Sequence, residues 1–255
     1  MSEPDEEADE GDGRDIALEP GHGADDSAEI ERCVDPKIRL LYDVFSYRHA
    51  ASILKHSHPD EYSDVSAALL DFRLTTDEIK APGGNETSIV KRVTSLLRDR
   101  GWEETRIFAD LKVTKETKRE VTRTTRSGGS KTEKVVEPTI LDIPNFVDGH
   151  KVDFVKNQVA FEMEWNSKDQ TFDRDLYAFR AFYDCNLISA GILLTRSSSL
   201  NPVFSSMGDV VKRKYGASTT WMGKLLYRLN ASRNGGCPVL VFGITPKLIK
   251  DWKQK

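Results

Sequence analysis

The sequence predicts an α/β fold, a central mixed β-sheet flanked by helices and extended by a basic β-ribbon, and three observations carry that prediction. Residues 187–195 (LISAGILLT) and 238–244 (PVLVFGI) are almost continuously apolar, as strands buried on both faces are. A helix-forming stretch lies between them, so strand, crossover helix and strand follow in the order of a sheet with helices on both sides. Residues 151–165 alternate apolar and polar side chains around a polar Lys156-Asn157-Gln158 turn, the pattern of a hairpin.

With 255 residues the chain can form one large domain with a core of ordinary size, or two small ones. Its charge is unevenly spread. The first 30 residues hold twelve carboxylates and a single Arg14, a net of −11, so residues 31–255 carry +7 within a total of −4. Poor in aromatic and β-branched residues, residues 1–30 are expected to be a disordered acidic tail, either a solubilising extension or a mimic of nucleic acid shading a basic cleft. They lack the apolar core of a signal peptide, and no segment approaches the roughly 20 apolar residues of a membrane span, so a cytoplasmic protein is expected. Cys33, Cys185 and Cys237 stand far apart with no C-x-x-C spacing, which argues against a disulfide framework or a zinc site. His56 and His58 beside Pro59 have no further ligand at metal spacing and read as a surface turn.

From Pro36 to about Lys55, Ile38, Leu41, Val44, Phe45, Ala51 and Leu54 recur at helical spacing and predict one amphipathic helix; residues 63–72 predict another. The loop at Ala81-Pro82-Gly83-Gly84 leads to Asn85 as an N-cap and to a helix with Ile89, Val93, Leu96 and Leu97 on its apolar stripe, ending near Gly101. Residues 111–142 are rich in Val, Thr and Ile around Ser127-Gly128-Gly129-Ser130, which predicts a long two-stranded ribbon. Lys112, Lys115, Lys118, Arg119, Arg123, Arg126, Lys131 and Lys134 decorate it against Glu116, Glu120 and Glu133. Too polar to be buried on either face, it suits an arm lying along a DNA backbone, where each neutralised phosphate releases counterions. A solvated hairpin or a flexible loop fits the same residues.

Carboxylates concentrate in residues 151–175. Asp153 lies on the first strand of the hairpin, and Glu162 and Glu164 lie two apart on the second. Residues two apart on a strand share a face, and the turn folds Asp153 back toward them, so three carboxylates are expected to share one small volume. Like charges packed together raise one another's pKa and weaken the fold unless a cation neutralises them. A hard divalent ion with oxygen ligands, Mg²⁺ above all, meets that need and leaves positions for water and phosphate. An amphipathic hairpin with a solvated acidic face has the same spacing, so the surrounding sequence has to decide.

An Asp on one strand followed by Glu-x-Glu on the next resembles the catalytic hairpin of the PD-(D/E)XK nuclease superfamily, and more narrowly that of the type II restriction endonucleases of the BamHI, BglII and BstYI group. VDFVKNQVAFEMEW is similar to the corresponding segment of that group in length and apolar pattern. Glu164 departs from the Lys that many superfamily members carry there and agrees with the BamHI version. The resemblance implies one nuclease domain over residues 31–255, Mg²⁺ held by Asp153 and Glu162 beside the scissile phosphate, and Glu164 orienting or deprotonating the attacking water. It implies a further polar group after a helix that ends in an aromatic residue; Gly101-Trp102-Glu103-Glu104-Thr105 offers Glu104 or Thr105, with Glu104 preferred, and a solvated acidic loop is the other reading. Also implied are a homodimer matched to a palindrome, a GATC centre, 5′-phosphate ends on four-base 5′ overhangs, and a cognate DNA methyltransferase.

Asn166, Ser167 and Lys168 approach the N-terminus of a helix predicted over residues 171–184, a place suited to phosphate. Arg196 follows the first apolar run. Lys212, Arg213 and Lys214 precede a polar loop containing Ser218 and Thr219, and a helix over residues 221–229 carries Lys224 and Arg228. Arg, Ser and Thr can contact base edges, which makes residues 197–236 the expected specificity region, although phosphate contact employs the same Lys and Arg equally well. The expected function is that of a type II restriction endonuclease acting on double-stranded DNA. A DNA-binding module that does not cut, and a structure-specific repair or recombination nuclease of the same fold, are the competing expectations; retention of all three carboxylates weighs against the first.

Overall fold

A computed structural model of the protein describes residues 15–82 and 87–253. The chain divides into two compact units, Met1–Thr105 with Lys151–Lys255, and Arg106–His150. The helices are α1 (Ser27–Cys33), α2 (Pro36–Leu41), α3 (Ala50–Ser57), α4 (Pro59–Asp71), α5 (Thr76–Lys80), α6 (Ser88–Arg98), α7 (Thr171–Asp184), α8 (Leu200–Ser206), α9 (Asp209–Lys214) and α10 (Met222–Asn230). The strands are β1 (Tyr42–Tyr47), β2 (Glu103–Thr124), β3 (Ser130–Lys156), β4 (Val159–Glu164), β5 (Ala190–Arg196) and β6 (Val239–Ile244), hydrogen-bonded in the order β1-β6-β5-β4-β3-β2.

The sheet is mixed. Strands β4, β5 and β6 run parallel, β1 pairs antiparallel with β6, and β3 pairs antiparallel with β4. Every residue of β4, β5 and β6 is buried, as their apolar sequences require. Phe161, Met163, Ile192, Leu194, Leu240 and Phe242 join the core built with α2 to α6 and α8. The alternate positions of β4 and β5 turn to the other face, which α7 covers with Phe172, Leu176, Phe179 and Phe182.

Three expectations are corrected. Residues 36–55 form α2, β1 and α3 rather than one helix: Tyr42 to Tyr47 pair residue by residue with β6, from Tyr42 opposite Ile244 to Tyr47 opposite Val239. Aromatic and β-branched residues fit an edge strand, and this pairing outweighs the helical periodicity. Arg48 and His49 then turn the chain with φ of 57° and 61°. The acidic segment is docked from residue 15 onward, because its polar groups find partners on the body: Asp15 pairs with Lys224 at 2.7 Å, Ala17 N–H bonds Gly223 O, Gly21 N–H bonds the Asn230 side chain, and Asp25 N–H bonds Ser46 O. Residues 1–14 of the expected tail, and the expected cap Asn85, lie outside the described residues; Thr87 caps α6 by accepting from Val90 N–H. Thirdly, the strands of the predicted ribbon extend past residues 111–142, as β2 and β3.

That ribbon is longer than residues 111–142. Within the Arg106–His150 unit, β2 and β3 are joined by a turn in which Thr125 N–H bonds Gly129 O and Gly128 takes φ 81°. Thr122 and Thr132 hydrogen-bond across it, and Arg119–Glu137, Arg123–Glu133 and Lys134–Glu120 form cross-strand ion pairs at 3.3, 3.2 and 3.8 Å. Lys118 and Arg126 are exposed. Toward its base Ile107 and Val147 are buried, while Phe108, Ile140, Leu141 and Phe146 are exposed.

Gly191 on β5 faces the ring of Phe179 on α7, and a Cβ added there would overlap that ring. Gly191→Ala is expected to cost about 1–3 kcal/mol through overpacking, read as a lowered urea midpoint at unchanged slope.

Candidate active site

The hairpin is set by its register: Phe154 opposes Phe161, Val155 opposes Ala160, and Lys156 opposes Val159. Asn157 closes the turn at φ 48°, a conformation that Asn tolerates better than most residues. Its side chain bonds Glu61, and the Lys156 ammonium anchors to Asp64 at 2.6 Å and Arg100 O at 2.8 Å. One step beyond that register, Asp153 N–H donates to Glu162 Oε1 at 3.1 Å. Strand alternation sends Phe161, Met163 and Trp165 into the apolar core, so Glu162 and Glu164 lie together on the α7 face.

Helix α7 adds a carboxylate that sequence reasoning missed. Asp175 is 1% exposed and faces Glu164 and Glu162. In the sequence it hides as one more acid on an amphipathic helix; the signal is that it falls on the buried side, one residue before Leu176. Arg174 sits beside it, with its guanidinium 3.0 Å from Asp175 and 3.7 Å from Glu164. Glu162 Oε2, Glu164 Oε2 and Asp175 Oδ2 are buried without a hydrogen-bond partner. Burial, then the neighbouring Asp175 charge, drives the Glu162 pKa well above the carboxylate range and lifts Glu164 to about 8. Burial raises Asp175 to about 6, with Arg174 opposing the rise.

An open cleft of about 570 Å³ reaches Glu164 and is bordered also by Thr94 and Arg98 of α6, Lys151 and Asp153 of β3, Ser167, Arg174 and Lys214; Glu162 and Asp175 are not in its lining. Glu104, half exposed, borders it too, and Thr105 lies outside its lining. Lys151 bridges the acids on this side, with its ammonium 2.9 Å from Glu104 and 3.1 Å from Asp153. The Glu104 hydrogen bond is the main reason its own pKa is raised.

The two loops expected to touch DNA lie against each other: Thr220 N–H bonds Ser167 O, Asp169 N–H bonds Ser218 O, and Lys168 bridges Thr219. Asn166 donates to Lys214 O, and the Lys214 ammonium is tied to Ile79 O and Ala81 O. Ser167, Lys168, Lys212 and Arg213 are exposed. Arg196 is corrected from a DNA contact to a core residue. Fully buried, it donates to Thr220 O and Thr219 Oγ1 and lies over the rings of Phe204 and Tyr215. Lys224 and Arg228 are buried as well, committed to Asp15, Asp169 and Asp173.

Oxygens of Glu162 and Glu164 on β4 and of Asp175 on α7, buried without a hydrogen-bond partner among the described residues, are donors of the kind a hard divalent cation takes, so their chemistry fits Mg²⁺. A second acidic group lies elsewhere: Asp25, Glu29 and His49 bring ligand atoms within 4.8 Å of one another. There Asp25 accepts from Ser46 and His49 N–H, and Glu29 holds the His49 ring at 2.7 Å, which fastens α1 to α3. Among the described residues, no three carboxylates of the cleft come that close.

Because the Glu164 pKa is raised in the fold, the folded chain binds a proton that the unfolded chain has released between its ordinary pKa, about 4.3, and about 8. The stability this group contributes is complete below that window and is lost as pH rises through it. Glu164→Gln is expected to be more stable than the parent at pH 8 and close to it at pH 5, by thermal unfolding without divalent ions. An unchanged difference between the two pH values would contradict the assigned burial.

No curated protein matches the chain. The family model described as "Restriction endonuclease BglII/BglIII" matches residues 42–244, from the first strand of the sheet to the end of β6 and including the whole carboxylate hairpin. The chain belongs to the BglII restriction endonuclease family, and is a type II site-specific deoxyribonuclease.

Proposed function

We propose that the chain hydrolyses phosphodiester bonds of double-stranded DNA in a Mg²⁺-dependent reaction, at a short palindromic site centred on GATC, leaving 5′-phosphate ends. The observation that carries the metal dependence is the group of buried oxygens on Glu162, Glu164 and Asp175 that have no hydrogen-bond partner among the described residues, with Glu164 bordering the same cleft as Asp153. Asp153 and Glu162 hold the ion. When bound, Mg²⁺ lowers the pKa of a coordinated water and neutralises charge that develops on the phosphate. Glu164 orients the attacking water and takes its proton. Glu104 supplies the additional acid at the rim.

Ser167 and Lys168 bind phosphate near the start of α7, and Ser218 and Thr219, with Lys212 and Arg213, supply the base and backbone contacts of the specificity region. The ribbon lies along the DNA backbone through Lys118, Arg119, Arg123 and Arg126. A homodimer matches the two-fold symmetry of a palindrome, and a cognate methyltransferase protects host DNA. The dimer, the methyltransferase and the GATC centre rest on the family resemblance; sequencing fragment ends after digestion reads site, cut position and overhang together.

Asp153→Ala or Glu162→Ala is expected to slow cleavage at least about a thousandfold while a gel-shift assay still shows DNA binding. Cleavage by either variant at the parent rate in Mg²⁺ would remove the assignment. Replacing Arg119, Arg123 and Arg126 by Ser is expected to weaken binding alike on all sequences and to flatten the dependence of log K on log salt by about 1–3 units. A ribbon that does not touch phosphate leaves that slope unchanged.

A further inference from the structure

The cleft's carboxylates are not equally supplied with positive charge. Arg174 pairs with Glu164 and Asp175, and Lys151 pairs with Asp153 and Glu104. Among the described residues, no cation pairs with Glu162, whose Oε2 stays without a partner. Lys151 precedes Asp153 by two on β3 and therefore shares its face, and both border the cleft. Its side chain is 39% exposed, so the ammonium is reachable from solvent rather than locked in a core. The contact has a cost for metal binding: a carboxylate held 3.1 Å from an ammonium must exchange that partner before it can serve an ion together with Glu162.

Building on the metal-dependent reading, we propose that Lys151 is a resident counter-cation of the active site: it holds Asp153 and Glu104 when no divalent ion is bound, yields Asp153 to the ion, and then donates to a non-bridging oxygen of the scissile phosphate. The chemistry of the side chain suits this exchange. An ammonium on a flexible four-carbon stem carries three donors and can change partners by rotation, whereas the planar guanidinium of Arg174 is suited to the fixed carboxylate pair it already serves. Glu104 stays within reach as the tether, so the ammonium does not have to leave the cleft. A phosphate oxygen that gains negative charge in the transition state gains most from a donor already beside it. Nothing is oxidised or reduced and no bond to Lys151 forms; the residue changes only its hydrogen-bond partners.

The test uses the full chain and reads two quantities that move in opposite directions. Tb³⁺ binding without DNA is followed by luminescence sensitised through tryptophan, and single-turnover cleavage of plasmid DNA is measured at saturating Mg²⁺. Lys151→Met is expected to bind Tb³⁺ about tenfold more tightly, because a competing cation is gone, and to cut about a hundredfold more slowly, because a transition-state donor is gone. Lys151→Gln, which keeps a donor without the charge, is expected to show the same tightening with a smaller loss of rate. Circular dichroism of both variants establishes that each is folded. Unchanged or weaker Tb³⁺ binding in both folded variants, or cleavage by Lys151→Met at the parent rate, would overturn the proposal and leave the metal site itself standing. Failure of the parent reading looks different: the parent chain would neither bind Tb³⁺ nor cut, or Glu162→Ala would do both as well as the parent.

Discussion

The constraint on which the rest depends is the enclosure of acidic groups between a sheet and a helix. Glu162, Glu164 and Asp175 are 2%, 5% and 1% exposed, and each keeps an oxygen without a hydrogen-bond partner among the described residues. A fold that tolerates such a group has to recover the loss elsewhere, and here it does so through strands buried on both faces and the aromatic side of α7. The same strand supplies both: alternate residues of β4 enter the apolar core and the acid site, so neither can be altered without displacing the other.

Electrostatics and topology therefore meet at one turn. Asn157, Lys156 and Glu61 hold the hairpin, the hairpin sets Asp153 against Glu162, and the cations Lys151 and Arg174 limit how far the acids repel one another. Lys151 and Arg174 both border the cleft, and each pairs with an acid of its own chain segment. The arrangement leaves the charge deficit at Glu162.

Much of this was legible beforehand, and the parts that were not have physical reasons. Strands β4, β5 and β6, the hairpin and α7 follow from periodicity because their environment is uniform along their length. Strand β1 was not, since Val44 and Phe45 suit a helix stripe and an edge strand alike and only β6, some 200 residues away, decides between them. The acid pair on β4 was visible because two residues of spacing define a strand face; Asp175 was not, because helix phase alone does not say which acids are covered. The docked segment from Asp15 shows that a run of charge need not be solvated when a buried lysine awaits it. Arg196 marks the reverse case: position after an apolar strand suggested a ligand contact, but aromatic rings and backbone carbonyls hold it inside.

That buried guanidinium has a mechanical consequence. It grips Thr219 and Thr220, whose loop is bonded through Ser167 and Asp169 to the segment that continues directly from Glu164. The two loops are thereby tied to each other by backbone hydrogen bonds. On the proposed reading, in which Ser218 and Thr219 contact bases and Glu164 orients the water, this coupling would give a mismatched site a penalty in rate as well as in affinity.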